Sequence, residues 1–437
     1  MDLEAICVFA CIGFFLDDRT YYQGLRTIKP AFQYTNTDAP GEKWFSWYYA
    51  PRPITLSQAT DEFEHLFEHA LGNKIGNRKV ILPLSGGLDS RTQAAGLKNL
   101  GHQVHAYGYA FEEGHNETHY GKSIAQVCGF PFNDWIVQRG YLWGYIEKLA
   151  KLNGCYSEFT HPRQMAFVER YAMLGDIFSL GHWGDVLFDS MGVKEDLPFE
   201  QQVYVVLKKI VKKGGLELAT ALWQAWGLKG EFLEYLVEHV KKLLIEIDIP
   251  HSANARIRAF KSLYWAPRWT AVNLSVFESV RPVAVPYFDD QICKFICTVP
   301  EKFLAGRQIQ IEYLKRRAPK LAAIPWQQHT PFNLYTFKWD RTPFNWPYRS
   351  ILKIRNVFNN RRMVQRNWEL QFLGEENTKY IERYLFENPA FLEWIPKSIS
   401  ESIYNKFLHS DAVKFSHPLS MLLTLSMFSS LSSRTYL

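Results

Sequence analysis

Along residues 79–190, short apolar runs alternate with longer amphipathic segments. Apolar runs of this length predict buried strands, and the amphipathic segments predict helices. The predicted strands are 79–84, 103–110, 132–137 and 176–181, and the predicted helices lie near 90–100, 116–128, 140–152 and 161–174. This alternation predicts an α/β fold, a doubly wound parallel sheet whose functional edge lies at the carboxyl ends of its strands.

The flanking parts of the chain show different patterns. Residues 6–16 and 32–34 are predicted as short strands joined by turns, whereas 57–71 has the apolar spacing of an amphipathic helix. From about residue 198 the pattern is helical, with proline-rich interruptions at 282–286, 319–325 and 342–347. We therefore predict three regions: 1–55 (β), 56–335 (α/β) and 336–437 (a helical C-terminal extension).

The amino-acid composition indicates a globular protein and little more. Of the 437 residues, 47% are hydrophobic and 22% charged, which argues against disorder. The aromatic content of 16% fits an aromatic-rich core or a sugar-stacking surface. A net charge of +6 does not indicate nucleic-acid binding. Basic clusters at 208–213 and 353–366 are interpreted as solvated helix faces or as contacts for an acidic partner.

The cysteines and the apolar runs indicate in which cellular compartment the protein is expected. None of the six cysteines forms a CxxC pair, which favours free thiols in a reducing, cytoplasmic setting. The apolar run 5–16 follows Asp2 and Glu4, lacks the features of a signal peptide and is too short to cross a bilayer. We expect a cytoplasmic protein without a membrane span.

The most informative motif lies between the first predicted strand and helix of the α/β region. Its glycines let the backbone approach phosphate oxygens, and the amides of the following helix N-terminus favour anions. The Gly-Lys-Ser/Thr ending of the Walker-type loop is missing. Asp89 suits Mg²⁺, and Arg91 is expected to grip a phosphate or an acidic substrate, or else to pair on the surface. The predicted nucleotide-binding residues of this loop are Leu84, Ser85, Gly86, Gly87, Leu88, Asp89, Ser90 and Arg91.

The Ser-Gly-Gly-Leu-Asp-Ser pattern resembles the pyrophosphate loop of enzymes that split ATP into AMP and pyrophosphate. With segments further along, residues 10–335 resemble the synthetase domain of the asparagine synthetase family, which β-lactam synthetases and lasso-peptide cyclases share. The resemblance implies a sheet of the ATP-pyrophosphatase type, and ATP and Mg²⁺ as cofactors. It implies that a carboxylate is activated as its acyl-adenylate and that a nitrogen nucleophile then displaces AMP.

Two further segments support the resemblance. The strand 104–110 is similar to the family strand that covers the adenine, which implies that Tyr107, Gly108 and Tyr109 lie near the base; a buried strand aromatic is the alternative for Tyr109. Residues 179–189 resemble the family signature Gly-Glu-Gly-x-Asp-Glu-Leu-Phe. By this match Gly181 lines the ATP site and Asp185 joins Asp89 in binding Mg²⁺.

The sequence departs from the family pattern at two catalytic positions. The residues there, His182 and His329, form the predicted altered catalytic pair. His182 stands where the family has its catalytic glutamate, so it either serves as a base or marks a changed or lost activity. His329 stands where the family has a lysine and Gln327 where it has an arginine, although developing charge there calls for a cation. The cluster 315–317 (Lys315, Arg316, Arg317) is a candidate substitute.

Residues 13–25 look like the tail of the family's glutaminase domain, so 1–55 is interpreted as a remnant of that β domain. Its nucleophile is a cysteine that follows Met1, whereas residue 2 here is Asp. We therefore expect no glutaminase activity. Nitrogen would come from ammonia, from a separate glutaminase or amine-donor subunit, or from an amine on the substrate.

The leading hypothesis is an ATP-dependent, AMP-forming amide ligase acting on a glycan, a peptide or another metabolite carboxylate, with a homo-oligomer as an open option. The alternative is a nucleotide-binding, non-catalytic partner of a separately encoded enzyme. A third class, tRNA-modifying or sulfur-transfer relatives, is disfavoured because no CxxC or exposed catalytic cysteine is evident.

Overall fold

A five-stranded parallel sheet forms the centre of the computed structural model, which describes residues 1–36, 39–114, 116–343, 345–346 and 371–435. Its strand order is β5-β4-β3-β6-β7, and Val80 of β3 pairs with Val104 of β4 and with Ile177 of β6. A separate antiparallel pair joins β1 to β2. The strands are β1 (Phe32–Gln33), β2 (Glu42–Lys43), β3 (Val80–Pro83), β4 (Val104–Phe111), β5 (Phe132–Val137), β6 (Ile177–Ser179) and β7 (Val283–Ala284).

The sheet order reverses at β3. The chain runs outward from β3 through β4 to β5 and then returns to β6 on the other side of β3. In open parallel sheets of this kind, ligands bind outside the carboxyl ends of the strands at such a reversal. The α/β prediction is therefore confirmed, and the topology points to the carboxyl end of β3.

Helices make up most of the rest of the described chain. They are α1 (Leu3–Ile12), α2 (Leu56–Ile75), α3 (Leu88–Asn99), α4 (Thr118–Cys128), α5 (Tyr141–Asn153), α6 (Val168–Tyr171), α7 (Gly184–Leu187), α8 (Phe199–Ile210), α9 (Gly215–Ala225), α10 (Phe232–Ile245), α11 (Ala253–Phe260), α12 (Ala271–Glu278), α13 (Asp290–Ile296), α14 (Glu301–Leu304), α15 (Gln308–Arg317), α16 (Pro319–Ala322), α17 (Glu375–Phe386), α18 (Pro389–Leu392), α19 (Lys397–His409) and α20 (Ala412–Thr435). A π-helix, Lys261–Thr270, joins α11 to α12, and the 3₁₀ turns are Arg163–Phe167, Pro286–Phe288, Ala305–Arg307, Gln327–His329 and Phe337–Trp339. Within the described residues, no helix combines the length and apolarity that a membrane crossing needs.

The two faces of the sheet enter two different cores. Val80 and Leu82 belong to the main core, whereas Ile81 between them packs with Tyr107 and Trp135 in a second one. This alternation follows from the two-residue period of a strand. Both faces of the sheet are therefore covered, as the doubly wound prediction requires.

The N-terminal prediction was wrong. Residues 6–16 are not strands, because α1 occupies most of this run; its N-cap Asp2 accepts a hydrogen bond from the Ala5 amide at 3.2 Å. Eight consecutive residues of α1, from Ala5 to Ile12, are buried. A helix that is apolar all round lacks the amphipathic period by which helices are recognised.

The other secondary-structure predictions were confirmed in part. The helix predicted at 57–71 is α2, whose capping box joins Thr55 and Gln58. The helix predicted at 161–174 is instead a 3₁₀ turn followed by the short α6, and the two-residue β7 was missed. The boundaries at 55 and 335 stay predictions. The basic cluster 353–366 lies outside the described residues.

Candidate functional site

The loop after β3 is held closed by its two serines. The Ser85 amide donates to Ser90 Oγ at 3.2 Å, and the two hydroxyl oxygens lie 3.1 Å apart. The Gly87 amide donates to Ser85 Oγ at 3.3 Å. Gly87 is the N-cap of α3 and supplies no side-chain cap, so the first-turn amides remain available to an anion.

Glycine is required at position 86 because two neighbouring side chains approach it closely. A Cβ atom at this position would lie 2.7 Å from the Gln327 Cβ and 2.8 Å from the Tyr120 Cβ. The Gln327 side-chain amide donates to Glu117, so the loop, α4 and the 327–329 turn meet at one point. The missing side chain of Gly86 therefore determines how closely the wall carrying Gln327 approaches the loop.

A cavity of about 550 Å³ opens over the carboxyl ends of β3 and β4, a volume typical of ligand-binding clefts. Tyr109 lies in its wall, and its hydroxyl oxygen accepts a hydrogen bond from Arg163 Nε at 2.7 Å. The other predicted residues in the wall are Leu84, Ser85, Gly86, Tyr107 and Gly108.

Tyr107 does not offer its ring to this cavity. Its side chain is fully buried and stacks on Trp135 with ring centroids 5.0 Å apart. Only its main chain is left to line the cavity, so an adenine contact from the Tyr107 ring is not supported. Tyr109, whose hydroxyl group and ring lie at the wall, is the better placed of the two.

Asp89, Gly181 and Asp185 come together on the β6 side of the loop. A Cβ on Gly181 would lie 3.1 Å from the Asp89 Cβ, and a Cβ on Gly184 would overlap the Asp89 carboxylate. Burial raises the pKa of Asp89; Arg307 opposes this rise and the charge of Asp185 adds to it. The two predicted metal ligands are thus close enough to influence one another.

This pair suits a magnesium ion. Two carboxylates, with water and phosphate oxygens completing the coordination, are a usual magnesium environment. Both hydrogen bonds to the Asp89 carboxylate, from Arg307 and from Gln310 at 3.1 Å, fall on Oδ1. Among the described residues, no group of three or more His, Cys, Asp or Glu is arranged to hold a metal ion. A magnesium ion held by Asp89 and Asp185 alone would need water or phosphate oxygens to complete its coordination.

Arg307, Gln310 and Tyr287 were missed by the sequence analysis. Gln310 bridges the Asp89 carboxylate and the Tyr287 hydroxyl group, the latter at 2.8 Å. Arg307 adopts a positive φ of 61° directly after Gly306 at 68°. Arg307 lies 218 positions from Asp89, and no local pattern connects positions so far apart.

The predicted role of Arg91 is corrected. Its side chain is buried, and its two Nη atoms donate to four main-chain carbonyl groups instead of facing the cavity. The nearest two belong to Pro325 at 2.8 Å and Ile324 at 2.9 Å, and the others to Gly86 and Leu321. Arg91 therefore ties the loop to the segment before Gln327 and is not a phosphate ligand. Leu84 and Leu88 are likewise buried, so only their main-chain groups remain for a nucleotide.

The two histidines have different surroundings. His182 is partly buried and its Nδ1 atom has no partner in the described structure; burial lowers its pKa to about 4. It is therefore neutral near pH 7. His329 Nδ1 lies 2.9 Å from an Asp340 carboxylate oxygen, its ring packs on Trp326, and it is not in the described wall of the cavity.

The three cations proposed to replace the family's lysine form ion pairs with other residues. Lys315 pairs with Glu312 at 3.1 Å, Arg316 with Asp61 at 2.9 Å and Arg317 with Glu64 at 3.0 Å. The partners Asp61 and Glu64 belong to α2. Arg316 and Arg317 thus hold α15 against α2, whereas Lys315 pairs within α15. None of the three lies in the described wall of the cavity, so the expectation that they serve the site is wrong for that wall.

Sheet order, loop and cavity together define an α/β protein with a candidate nucleotide site at the reversal point of its sheet. Residues 62–173 match the model of the asparagine synthase family, so this part of the chain is similar to that family. The match includes the loop, β4, α4 and β5, while 179–189 and 327–329 lie beyond it.

Among solved structures, an NMN synthetase from Francisella tularensis is similar at 15% sequence identity and a TM-score of 0.25. The likeness covers 48% of this chain and 94% of that chain. Among curated proteins, none matches this chain.

Proposed function

We propose that the protein is an ATP-dependent ligase that adenylates a carboxylate, releases pyrophosphate and transfers the acyl group to ammonia or an amine. The observation that carries this proposal is the closed serine loop, whose Ser85 and Gly86 line the cavity. The uncapped amides of α3 begin in the same loop, and the charge of Asp185 acts on its Asp89. The similarity of residues 62–173 to the asparagine synthase family supports the same chemistry.

Each part of the site has a role in this proposal. The first-turn amides of α3 and the hydroxyl groups of Ser85 and Ser90 hold the phosphates, and the base extends along the end of β4 toward Tyr109. Mg²⁺ on Asp89 and Asp185 would neutralise phosphate charge.

The bond changes follow from this arrangement. A carboxylate oxygen attacks the α-phosphorus, and the α–β phosphoanhydride bond breaks to release pyrophosphate. An amine then attacks the acyl carbon and displaces AMP. His182, neutral near pH 7, is the residue proposed to accept the proton of the amine. The nitrogen donor is proposed to be ammonia or a separate amine-donor subunit, because burial raises the pKa of Cys7 well above that of a reactive thiol.

A second candidate function is a nucleotide-binding partner without chemistry of its own. It is favoured by His329, which is paired with Asp340 and lies outside the described cavity wall. Because Gln327 carries no charge and His329 lies outside the described cavity wall, no cation of the 327–329 turn faces the developing charge on the α-phosphate. Under this alternative, Asp89 and the loop bind ATP without splitting it.

The test measures nucleotide products. Purified protein is incubated with ATP, Mg²⁺ and a small-molecule extract of its source cells, and AMP and pyrophosphate are followed by chromatography. Asp89→Asn should abolish both products, while Asp196→Asn, a matched change at an exposed acid, should leave them unchanged.

Each outcome decides between the two candidates. AMP and pyrophosphate in equal amounts, lost only in Asp89→Asn, would establish the ligase. Asp89-dependent ATP binding without AMP would establish the non-catalytic partner instead. If ATP does not bind at all, both candidates are wrong.

A further inference from the structure

Strand β4 extends further than its neighbour β3, and this difference leaves part of its edge without a strand partner. The pairing of the two strands ends where Pro83 lies opposite Tyr107, whereas β4 continues to Phe111. Tyr109 lies two residues beyond the last pair, which is about 7 Å further along the strand. Because Tyr109 is part of the cavity wall, the unpaired edge of β4 borders the cavity.

The main-chain groups of Tyr109 face the side of β4 on which β3 has ended. The Tyr107 carbonyl group accepts from the Leu84 amide on the β3 side, whereas the Ala106 amide donates to Pro131 on the β5 side. The two sides alternate along a parallel strand, so the amide and the carbonyl group of Tyr109 point to the β3 side. In the described sheet no strand reaches them there. An unpaired donor next to an unpaired acceptor matches the edge of a heteroaromatic ring that carries the opposite pair.

The two faces of this edge are covered by different elements. Side chains alternate along a strand, so the Tyr109 side chain, which packs on the second core, and a Cβ on Gly108 would point to opposite faces. That Cβ would lie 3.5 Å from the Thr118 side chain at the start of α4. On the Tyr109 face, Arg163 and Gln164 donate to its hydroxyl oxygen at 2.7 and 3.4 Å. Thr118 and Arg163 both line the cavity, and we call the space between them, along the edge of β4, the slot. Its shape suits a flat ring.

The Arg163 guanidinium is held in place but is not neutralised. Its Nε donates to Tyr109, and its carbon lies 5.9 Å from the centroid of that ring. Within the described residues its two Nη atoms have no hydrogen bond and it forms no ion pair, although the charge of Glu158 acts on it. The acid in the described cavity wall, Glu117, is bonded to Gln327 at the end of the cavity nearest the loop. A fixed, planar cation therefore remains available to an occupant of the slot.

We propose that Arg163 is a nucleotide-binding residue whose guanidinium covers one face of the base, while the main chain of Tyr109 binds the edge of the base. This inference deepens the proposed function and rests on it for the identity of the nucleotide. A planar guanidinium stacks on aromatic faces, whereas the compact ammonium group of lysine does not. The Tyr109 hydroxyl group is a positioning group, because it acts through Arg163. A carboxylate of the acyl substrate is the other occupant that a guanidinium suits, and it is an outcome of the test.

The first experiment measures the binding of ATP and of adenosine, which has the base but no phosphates. Isothermal titration calorimetry of the full chain with Mg²⁺ compares the wild type with Arg163→Met. We expect the variant to bind both ligands about tenfold more weakly, the scale found when a stacking partner of a base is removed. A loss for ATP alone would mean that Arg163 acts on the phosphate charge, and this would overturn the inference. So would a wild type that binds ATP but no adenosine, because the slot would then not hold the base.

Three further variants separate stacking from charge and from general damage. Arg163→Lys keeps the charge but not the planar group, so it should lose nearly as much affinity as Arg163→Met; full affinity would contradict stacking. Tyr109→Phe should weaken adenosine about threefold, and should add nothing to Arg163→Met; additive losses would contradict the positioning role.

Arg170→Met is the matched control. Arg170 belongs to the same segment, is exposed, and places its guanidinium 5.7 Å from the Trp135 ring centroid, but it lies outside the described cavity wall. Its replacement should leave the binding of both ligands unchanged. A loss equal to that of Arg163→Met would mean that the variants damage the segment, and the inference would be wrong.

The same variants separate this inference from the proposed function. Equal ATP affinity of the wild type and Arg163→Met would overturn the inference and leave the ligase standing. Arg163-dependent binding of adenosine without binding of ATP would support the slot and contradict the ligase. If Arg163→Met lost AMP formation with the cell extract but bound ATP and adenosine normally, Arg163 would be a residue for the acyl substrate and the inference would be wrong. Weakened binding of both ligands in Arg163→Met, with AMP formed by the wild type, would support both.

Discussion

Two loops meet at the Asp89 carboxylate, and they differ in how well their residue types suit the positions they occupy. In loop 84–91, after β3, glycine stands where close packing requires it, at Gly86. In segment 181–189, after β6, tryptophan takes a positive φ at 183 and the Nδ1 atom of His182 has no partner in the described structure. Loop 84–91, the proposed nucleotide side, thus follows the expected pattern, while segment 181–189, the proposed acyl side, contains a large residue with a positive φ. Under the proposed function, we expect the substrate, and not the nucleotide, to distinguish this protein from the family that its loop resembles.

The two loops are nevertheless anchored alike, each by a buried arginine. Arg91 donates to main-chain carbonyl groups only, including that of Gly86 in loop 84–91. Arg258 donates to the carbonyl groups of Val186 and Asp189 in segment 181–189 and also forms a two-pronged ion pair with Glu301. Breaking each anchor in turn tests whether the loops are independent.

The largest effect is expected from Arg258→Met. The Glu301 carboxylate would remain buried without its partner, which typically costs about 3–5 kcal/mol of unfolding free energy. Urea unfolding followed by circular dichroism measures the loss. Arg258→Met with Glu301→Gln should recover part of it, because no charge is then left unpaired. Equal losses in the single and double variants would contradict this account.

Gly184→Ala comes next and breaks the contact between the two loops. The added methyl group would overlap the Asp89 carboxylate and lie 2.9 Å from the Tyr287 ring. Misplacing that carboxylate should lower AMP formation about 100-fold, the scale expected when a reacting group moves by about 1 Å. Gly144→Ala, at a helical glycine with no atom within 4 Å of the new methyl group, is the matched control. Equal activity of the two variants would mean that the contact does not matter.

Arg91→Met should affect stability more than nucleotide binding. Its removal takes one donor from each of four main-chain carbonyl groups, of which those of Gly86 and Leu321 keep the amides of Gln327 and Ile324, and this should cost about 2 kcal/mol. The dissociation constant for ATP, measured by calorimetry on folded protein, should change by less than about threefold, since a lost phosphate contact would cost more. A large loss of ATP affinity at unchanged stability would restore the phosphate-ligand role for Arg91.

The comparison of the two loops also shows which features could be predicted from the sequence. The loop 84–91 was predictable because its strand, glycines, aspartate and helix lie within a dozen residues. The partners of Asp89 were not, because Gln310 is 221 positions away and only the fold brings it there. Helix α1 was misassigned because uniform apolarity hides its period, and the strain at Trp183 depends on a backbone angle that composition does not encode.

Acid provides a graded test, with a small effect per pH unit, because loop 84–91 contains no histidine whereas segment 181–189 contains His182. Burial lowers the pKa of His182 to about 4, and it does the same for His417, whose ring lies 3.0 Å from the Ala10 carbonyl oxygen of α1. In the unfolded chain each has an ordinary pKa of about 6.5. The unfolded state therefore binds protons first as the pH falls, so stability is complete above about pH 6.5 and declines toward pH 4.

The size of this decline can be divided between the two histidines. Each should remove about 1.4 kcal/mol of unfolding free energy per pH unit between about pH 6 and pH 4, measured by urea unfolding. His417→Gln, which keeps a donor for the Ala10 carbonyl group, should reduce the slope by one such increment and leave the share of His182. Mg²⁺ and ATP should change stability at every pH through loop 84–91 without altering the share of His417. An unchanged slope in His417→Gln would mean that acid acts through the carboxylates, and the contrast between the two loops would then not extend to pH.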